Sequence, residues 1–187
     1  MPVQAELKKP SELSFAEREA WMAFTDHDPA LASPYFRIEF AECCEEVRSD
    51  TRVLVAREHG QIAGFLPMQM GRVGYARPLS GPLADVHGVV AEPGRAIDLK
   101  AWFRAAGVPL FEFHSALGTQ SCWRDHGEIQ DGSWIIDISD GFEAFEETRT
   151  AAEPKAFRNI RSRRRKLEES EGGFEFRLQD PSETARE

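Results

Sequence analysis

The stretch from Thr51 to Gln69 constrains this chain most. Val53-Leu54-Val55-Ala56 is one apolar run and Ile62-Ala63-Gly64-Phe65-Leu66 a second, with His59-Gly60 between them as turn material. Runs without polar alternation belong to strands covered on both faces, so the segment predicts a hairpin with apolar packing on either side. Pro67 lacks an N–H to give to a ladder, which predicts a bulge or an edge at that point.

Helical signals precede and follow the hairpin. Ser14 and Glu17 have capping-box spacing, with Trp21 and Phe24 three apart, predicting a first helix that ends near Asp26–Pro29. Ser33-Pro34-Tyr35-Phe36 opens a second, whose apolar residues Phe36, Phe40, Cys43, Cys44 and Val47 recur at helical spacing and predict one buried stripe. Tyr75 to Leu79 reads as a short strand. A helix after Pro93-Gly94 carries Ile97, Trp102, Phe103 and Ala106 and stops at Gly107. Leu110 to His114 and Trp134 to Ile138 read as strands. Asp140 and Glu143 have capping-box spacing ahead of Phe142 and Phe145, and Pro154 opens a last helix that reaches Gly172-Gly173. Phe174 to Leu178 alternates as a strand, and Asp180 to Glu183 resembles another helix start. Strands alternating with helices predict an α/β fold with a mixed sheet. A strand and an unfinished helix start also predict that the chain stops partway through a larger architecture.

Composition narrows the class. Hydrophobic residues make up 41% of the 187, a globular share. No run approaches the ~20 apolar residues of a membrane span, and the polar start, Met1 to Ser14, lacks the apolar core of a secretory signal, which predicts a cytoplasmic protein. Cys43, Cys44 and Cys122 are odd in number and lack paired metal-ligand spacing, so neither a disulfide framework nor a zinc site is expected. A formal net charge of −9 argues against nucleic-acid binding by the chain as a whole.

One local exception is the stretch 155–166, where Lys155, Arg158, Arg161, Arg163, Arg164, Arg165 and Lys166 occur without an acid. Arg158, Arg161 and Arg165 share one side of the helix, while Phe157, Ile160 and Leu167 form a narrow apolar seam. Cations oppose the dipole near a helix start, so helix stability does not explain them. Guanidinium forks there suit a phosphate or carboxylate. The other readings are a solvated linker helix and, less favoured, a nucleic-acid contact. A second candidate is Asp85-Val86-His87 in a glycine-rich loop, where Asp85 could orient His87 as a general base, or simply order a turn. His27, His59, His114 and His126 show no metal-ligand spacing and read as solvated or locally bonded. Gly71-Arg72-Val73-Gly74 and Gly172-Gly173 precede strands, not helices, and so do not fit a phosphate-cradling loop.

Ser33-Pro34-Tyr35-Phe36, Gly64-Phe65-Leu66-Pro67-Met68, the loop Gly81 to Gly88, Trp134 to Ile138 and Arg158 to Leu167 occur in an order that resembles the N-terminal half of CelD/BcsL-type acyltransferases. These are GNAT-superfamily proteins linked by name to cellulose and exopolysaccharide biosynthesis. The resemblance covers roughly residues 20–180. It implies a mixed, mostly antiparallel sheet flanked by helices, the first lobe of a tandem pair of GNAT-like lobes. Residues 1–12 would be a flexible leader, 13–152 the lobe, and 153–187 the basic connecting helix with the start of a truncated second lobe. It implies acyl transfer from acetyl-CoA or another acyl-CoA to a saccharide-like or amine acceptor, with the acyl-CoA site mainly in the second lobe. On this reading Asp85 and His87 are the catalytic candidates, and Arg158, Arg161 and Arg165 meet an anionic acceptor or CoA phosphates. The pyrophosphate motif Gln/Arg-x-x-Gly-x-Gly/Ala has no match here, which supports the alternative, ranked second, of a non-catalytic lobe that supports or docks a partner.

Overall fold

In the computed structural model, residues 3–127, 132 and 136–172 are described. The predicted hairpin forms from strands β2 (Thr51–Glu58) and β3 (Gln61–Met70). His59 and Gly60 both take positive φ, 52° and 79°, as the two-residue turn matching strand twist requires. Val53 and Val55 pack in one core and Leu54 and Ala56 in the other, so the unbroken apolar run serves two faces at once. Pairing runs from Thr51↔Gln69 to Glu58↔Gln61, with a register shift between Ala56 and Arg57. Gly64 lies beside that shift. A Cβ there would come within 2.9 Å of the Ala91 Cβ, the Trp102 ring and the Val90 carbonyl, so close backbone approach requires glycine.

Three more strands complete a sheet of order β1-β2-β3-β4-β5, with β1 (Gln4–Lys8), β4 (Tyr75–Pro78) and β5 (Leu110–Phe111). All neighbours are antiparallel except β4 and β5. The fold class is therefore as expected, a mixed α/β arrangement with a mostly antiparallel sheet and flanking helices. The leader is not loose. Residues 4–8 pair with β2, and Val3, Ala5 and Leu7 pack against the second core; their alternation is interleaved with Gln4, Glu6 and Lys8.

Helices α1 (Phe15–His27) and α2 (Ile38–Val47) cover one face. The capping box at α1 forms, with the Ser14 N–H donating to Glu17 at 2.7 Å and the Glu17 N–H to the Ser14 hydroxyl at 3.4 Å. Trp21 is fully buried and its indole N–H donates to the Phe36 carbonyl at 2.8 Å. The stripe expected on the second helix is rotated. Pro34–Phe36 is a separate 3-10 turn, α2 begins after Arg37, and its buried residues are Ile38, Ala41 and Cys44, while Cys43 and Val47 are exposed. Helix α3 (Leu99–Ala106) covers the other face through Leu99 and Trp102 and ends at Gly107.

Glu17 is buried and joins three elements. Its Oε1 lies 2.8 Å from both Lys8 on β1 and Arg57 on β2, while Oε2 takes the Ser14 cap bonds. Burial works to raise its pKa, but Lys8 and Ser14 overrule it and hold the carboxyl at about 2.

Residues 1–131 and 132–187 form two units, a division earlier in the chain than the expected boundary at 152. The second contains α4 (Phe142–Ala152) and α5 (Pro154–Glu171). Gly141, at φ 93°, caps α4 in place of Asp140 and leaves the expected capping box unmade. Phe145 meets Phe157 edge-on at 6.4 Å, whereas Ile160 and Leu167 of the seam are exposed. The expected strand at 134–138 lies partly outside the described residues, and 136–138 are irregular. The strand at 174–178 and the helix start at Asp180 lie outside them. Among the described residues, no helix is long and apolar enough to cross a membrane.

Candidate functional site

The sheet parts at Pro67. Phe65 exchanges both backbone hydrogen bonds with Val90, each at 2.8 Å, while β4 pairs with β3 over Met68–Met70. Alternate residues of a strand point their N–H groups the same way, so position 67 faces the same side as Phe65, between β4 and the Val90 segment. A proline there forfeits no ladder bond, which resolves the expectation of a bulge or edge.

The segment carrying His87 enters at this break. The His87 N–H donates to the Ser115 carbonyl at 3.1 Å, and the Leu117 N–H donates to the His87 carbonyl at 2.9 Å. Two residues on, Gln120 clamps Val89, accepting its N–H at 2.9 Å and donating to its carbonyl at 2.6 Å, and it also accepts from the Trp123 indole at 2.9 Å. Nothing in the spacing around Gln120 marks it as a clamp, and sequence reading passed over it.

These anchors hold the His87 ring among aromatics. Trp123 meets it edge-on at 5.2 Å, Phe113 lies at 5.9 Å, and Phe111 and His114 at 6.2 Å. Both ring nitrogens are buried without a hydrogen-bond partner. Burial lowers the His87 pKa to about 4, and His114 adds to the shift while its backbone opposes it. His87 is therefore an uncharged imidazole at neutral pH. The expected dyad is not formed, because Asp85 is exposed and does not bond to either nitrogen. A pKa of about 4 also makes a weak general base. The geometry leaves a neutral ring able to donate one hydrogen bond and accept another. Beside it lies a cavity of about 10 Å³, bordered by Tyr35, Phe40, Pro67 and Leu79, roughly the room for one water.

A larger cavity of about 240 Å³ opens where three segments converge: Asp28 and Ala30 after α1, residues 91–97 before α3, and residues 119–122. Arg95 donates to Glu58 at 2.8 Å and lies 3.9 Å from Glu92, while its Nε is buried with no partner. Asp28 caps the following turn through the Ala30 N–H at 2.9 Å. Cys122 lines the same cavity, and burial pushes its thiol up to about 11.

Three of the seven cations at 155–166 are paired with glutamates among the described residues. Arg161 donates to Glu146 of α4 at 2.8 Å, Arg164 lies 2.9 Å from Glu168, and Arg165 lies 3.7 Å from Glu169. Of the three expected anion-binding residues, Arg158 has no ion pair among the described residues, whereas Arg161 and Arg165 are already engaged by carboxylates. Among the described residues, no group of three or more His, Cys, Asp or Glu could hold a metal ion.

An acyl-CoA brings several phosphate charges, which need guanidinium groups or a helix-start cradle. Neither of these two cavities fits them. The larger is lined by Asp28 and Glu92, with the Arg95 charge offset by Glu58, and the smaller holds about one water. The turn at Gly71 is closed, with its N–H donating to the Tyr75 carbonyl at 2.6 Å.

No family model matches this chain, and no curated protein matches it. Solved structures do. One is an aminoglycoside acetyltransferase from an uncultured soil metagenomic sample, 13% identical, covering 73% of this chain and 100% of that one at a TM-score of 0.37. Another is a ribosomal-protein-alanine N-acetyltransferase from Brucella melitensis biovar Abortus 2308, 14% identical, covering 72% of this chain and 98% of that one at a TM-score of 0.38. At these scores no residue role carries over, so the roles assigned to this chain rest on its own geometry.

Proposed function

We propose that this chain is a GNAT-like lobe of an acyl-CoA-dependent acyltransferase, one that receives the acceptor and leaves the acyl-CoA phosphates to a second lobe. The observation that carries this division is the 240 Å³ cavity, whose carboxylates and offset arginine suit a hydrogen-bonding acceptor and repel phosphates. The resemblance to CelD/BcsL-type proteins supplies the rest of the reading: a tandem pair of lobes, a cytoplasmic location, and a saccharide-like or amine acceptor. Acetyl-CoA or another acyl-CoA would bring the activated thioester when bound to the second lobe.

Within this lobe, His87 stays uncharged and is fixed by the 115–117 segment and the Gln120 clamp. A neutral imidazole offers a hydrogen bond to a polar group without the desolvation cost of a buried charge. Asp85 takes no part in this arrangement. The test is release of the CoA thiol from acetyl-CoA by the polypeptide carrying both lobes, with an amino sugar as acceptor. Acceptor-dependent release supports the proposal; no release with any amine or hydroxyl acceptor contradicts it.

The unformed dyad and the paired arginines favour a second reading, a non-catalytic GNAT-like lobe that supports a partner. It predicts that His87→Leu leaves thiol release by the two-lobe polypeptide unchanged. A nucleic-acid contact through α5 is the least supported reading, because three of its arginines are paired with glutamates.

A further inference from the structure

We infer that α5 is a self-association helix, whose face carrying Leu167 pairs antiparallel with the same face of a second copy of this chain. This pairing is independent of the acyltransferase reading. Of the apolar seam on α5, α4 engages the first member: Phe145 meets Phe157, and beside it Glu146 accepts from Arg161. The other two members stay uncovered, with Ile160 58% and Leu167 44% exposed. Ile160, Arg163, Leu167 and Glu171 recur at spacings of three and four, so they share one face of the 18-residue helix. Apolar side chains left in water on such a face gain free energy when a second apolar surface covers them.

The charges around Leu167 select a second copy as that surface. Before it stand Arg163-Arg164-Arg165-Lys166, and after it Glu168-Glu169-Ser170-Glu171. The sign of the charge reverses about Leu167, so two copies crossed antiparallel there set the basic run of each against the acidic run of the other. Within one copy, Arg164 and Arg165 reach Glu168 and Glu169 one turn on. Arg163 and Glu171 have no such outlet, because Leu167 stands four residues from each and the two lie about 12 Å apart along the axis. Arg163 has no ion pair among the described residues, and Glu171 accepts from the Ser170 hydroxyl at 3.4 Å. In the antiparallel pair, Arg163 of each copy lies opposite Glu171 of the other, one contact on each side of the two-fold axis. Charge also rejects the competing registers. A parallel pair sets Arg163 against Arg163, and an antiparallel pair with Leu167 over Ile160 sets Arg163 against Arg164. The contact involves about a dozen residues a side, which places it among the small, transient associations.

The test is sedimentation equilibrium on the whole chain and three charge variants. The wild-type chain should pass from monomer to dimer between about 10 µM and about 1 mM. Arg163→Glu makes both symmetry-related contacts repulsive and should weaken association about tenfold, and Glu171→Arg should do the same. Combining the two restores both contacts with their signs exchanged, so the double variant should return to within about threefold of the wild-type dissociation constant. Arg163 and Glu171 are both exposed, so the variants keep the fold, and circular dichroism checks that helix content is unchanged. The rescue cannot arise within one copy, where the two side chains are about two turns apart. A chain that stays monomeric to about 1 mM, a dimer that either single reversal leaves untouched, or a double variant no tighter than the single ones overturns the inference.

Discussion

Protonating His87 should destabilise this protein from the inside of its aromatic cluster. The ring is buried with neither nitrogen bonded, and its pKa falls from 6.5 to about 4. In the unfolded chain the ring takes up a proton near 6.5, so between the two values the unfolded state binds more protons and stability rises with pH. The full shift corresponds to about 3 kcal/mol, of which about 2 kcal/mol is lost between about pH 7.5 and about pH 5. That is a large part of the net stability of a domain this size. Urea denaturation followed by tryptophan fluorescence, across that range, reads the loss directly. In His87→Leu the slope should flatten, because the group that titrates is gone. The reasoning is refuted if the variant keeps the wild-type slope, or if the His87 ring titrates near 6.5 in an NMR experiment on the folded chain.

Glu17 governs a more acid window. Its carboxyl is held at about 2 from an ordinary 4.5, so it contributes about 3 kcal/mol that is present above about pH 4.5 and lost as the pH falls toward 2. Glu17→Gln, which leaves Arg57 without its anion and Lys8 with Glu6 alone, should cost about 3 kcal/mol by urea denaturation at neutral pH; a cost under about 1 kcal/mol would show that the network adds little to stability. Gly64→Ala should destabilise by about 1–3 kcal/mol, because the added Cβ meets Ala91, Trp102 and the Val90 carbonyl at 2.9 Å; an unchanged denaturation midpoint would contradict the close approach. Iodoacetamide at neutral pH should modify exposed Cys43 well before Cys122, whose thiol is pushed up to about 11, and mass spectrometry showing the reverse order would refute it.

The sequence disclosed those parts of the fold whose signal is local. The hairpin was legible because two apolar runs flank a turn dipeptide, and α1 because Ser14 and Glu17 must meet for both to be satisfied. Strand β1 was not, since Glu6 and Lys8 mask the alternation of Val3, Ala5 and Leu7, and only β2 makes a strand of them. On α2 the apolar residues outnumber those the core accepts, and the break at Arg37 decides which of them turn inward. The site was harder still. His87 was singled out, yet the neighbour chosen for it, Asp85, faces solvent, and its surroundings come from residues 111–123. Gln120 and Arg95 carry no motif, and their roles exist only once three distant segments converge.

The proposed division of labour between two lobes is tested most directly by calorimetry on this chain with two titrants. Glucosamine should give a saturable heat and acetyl-CoA none. Saturable binding of acetyl-CoA, or no binding of glucosamine, would contradict the assignment of this lobe to the acceptor.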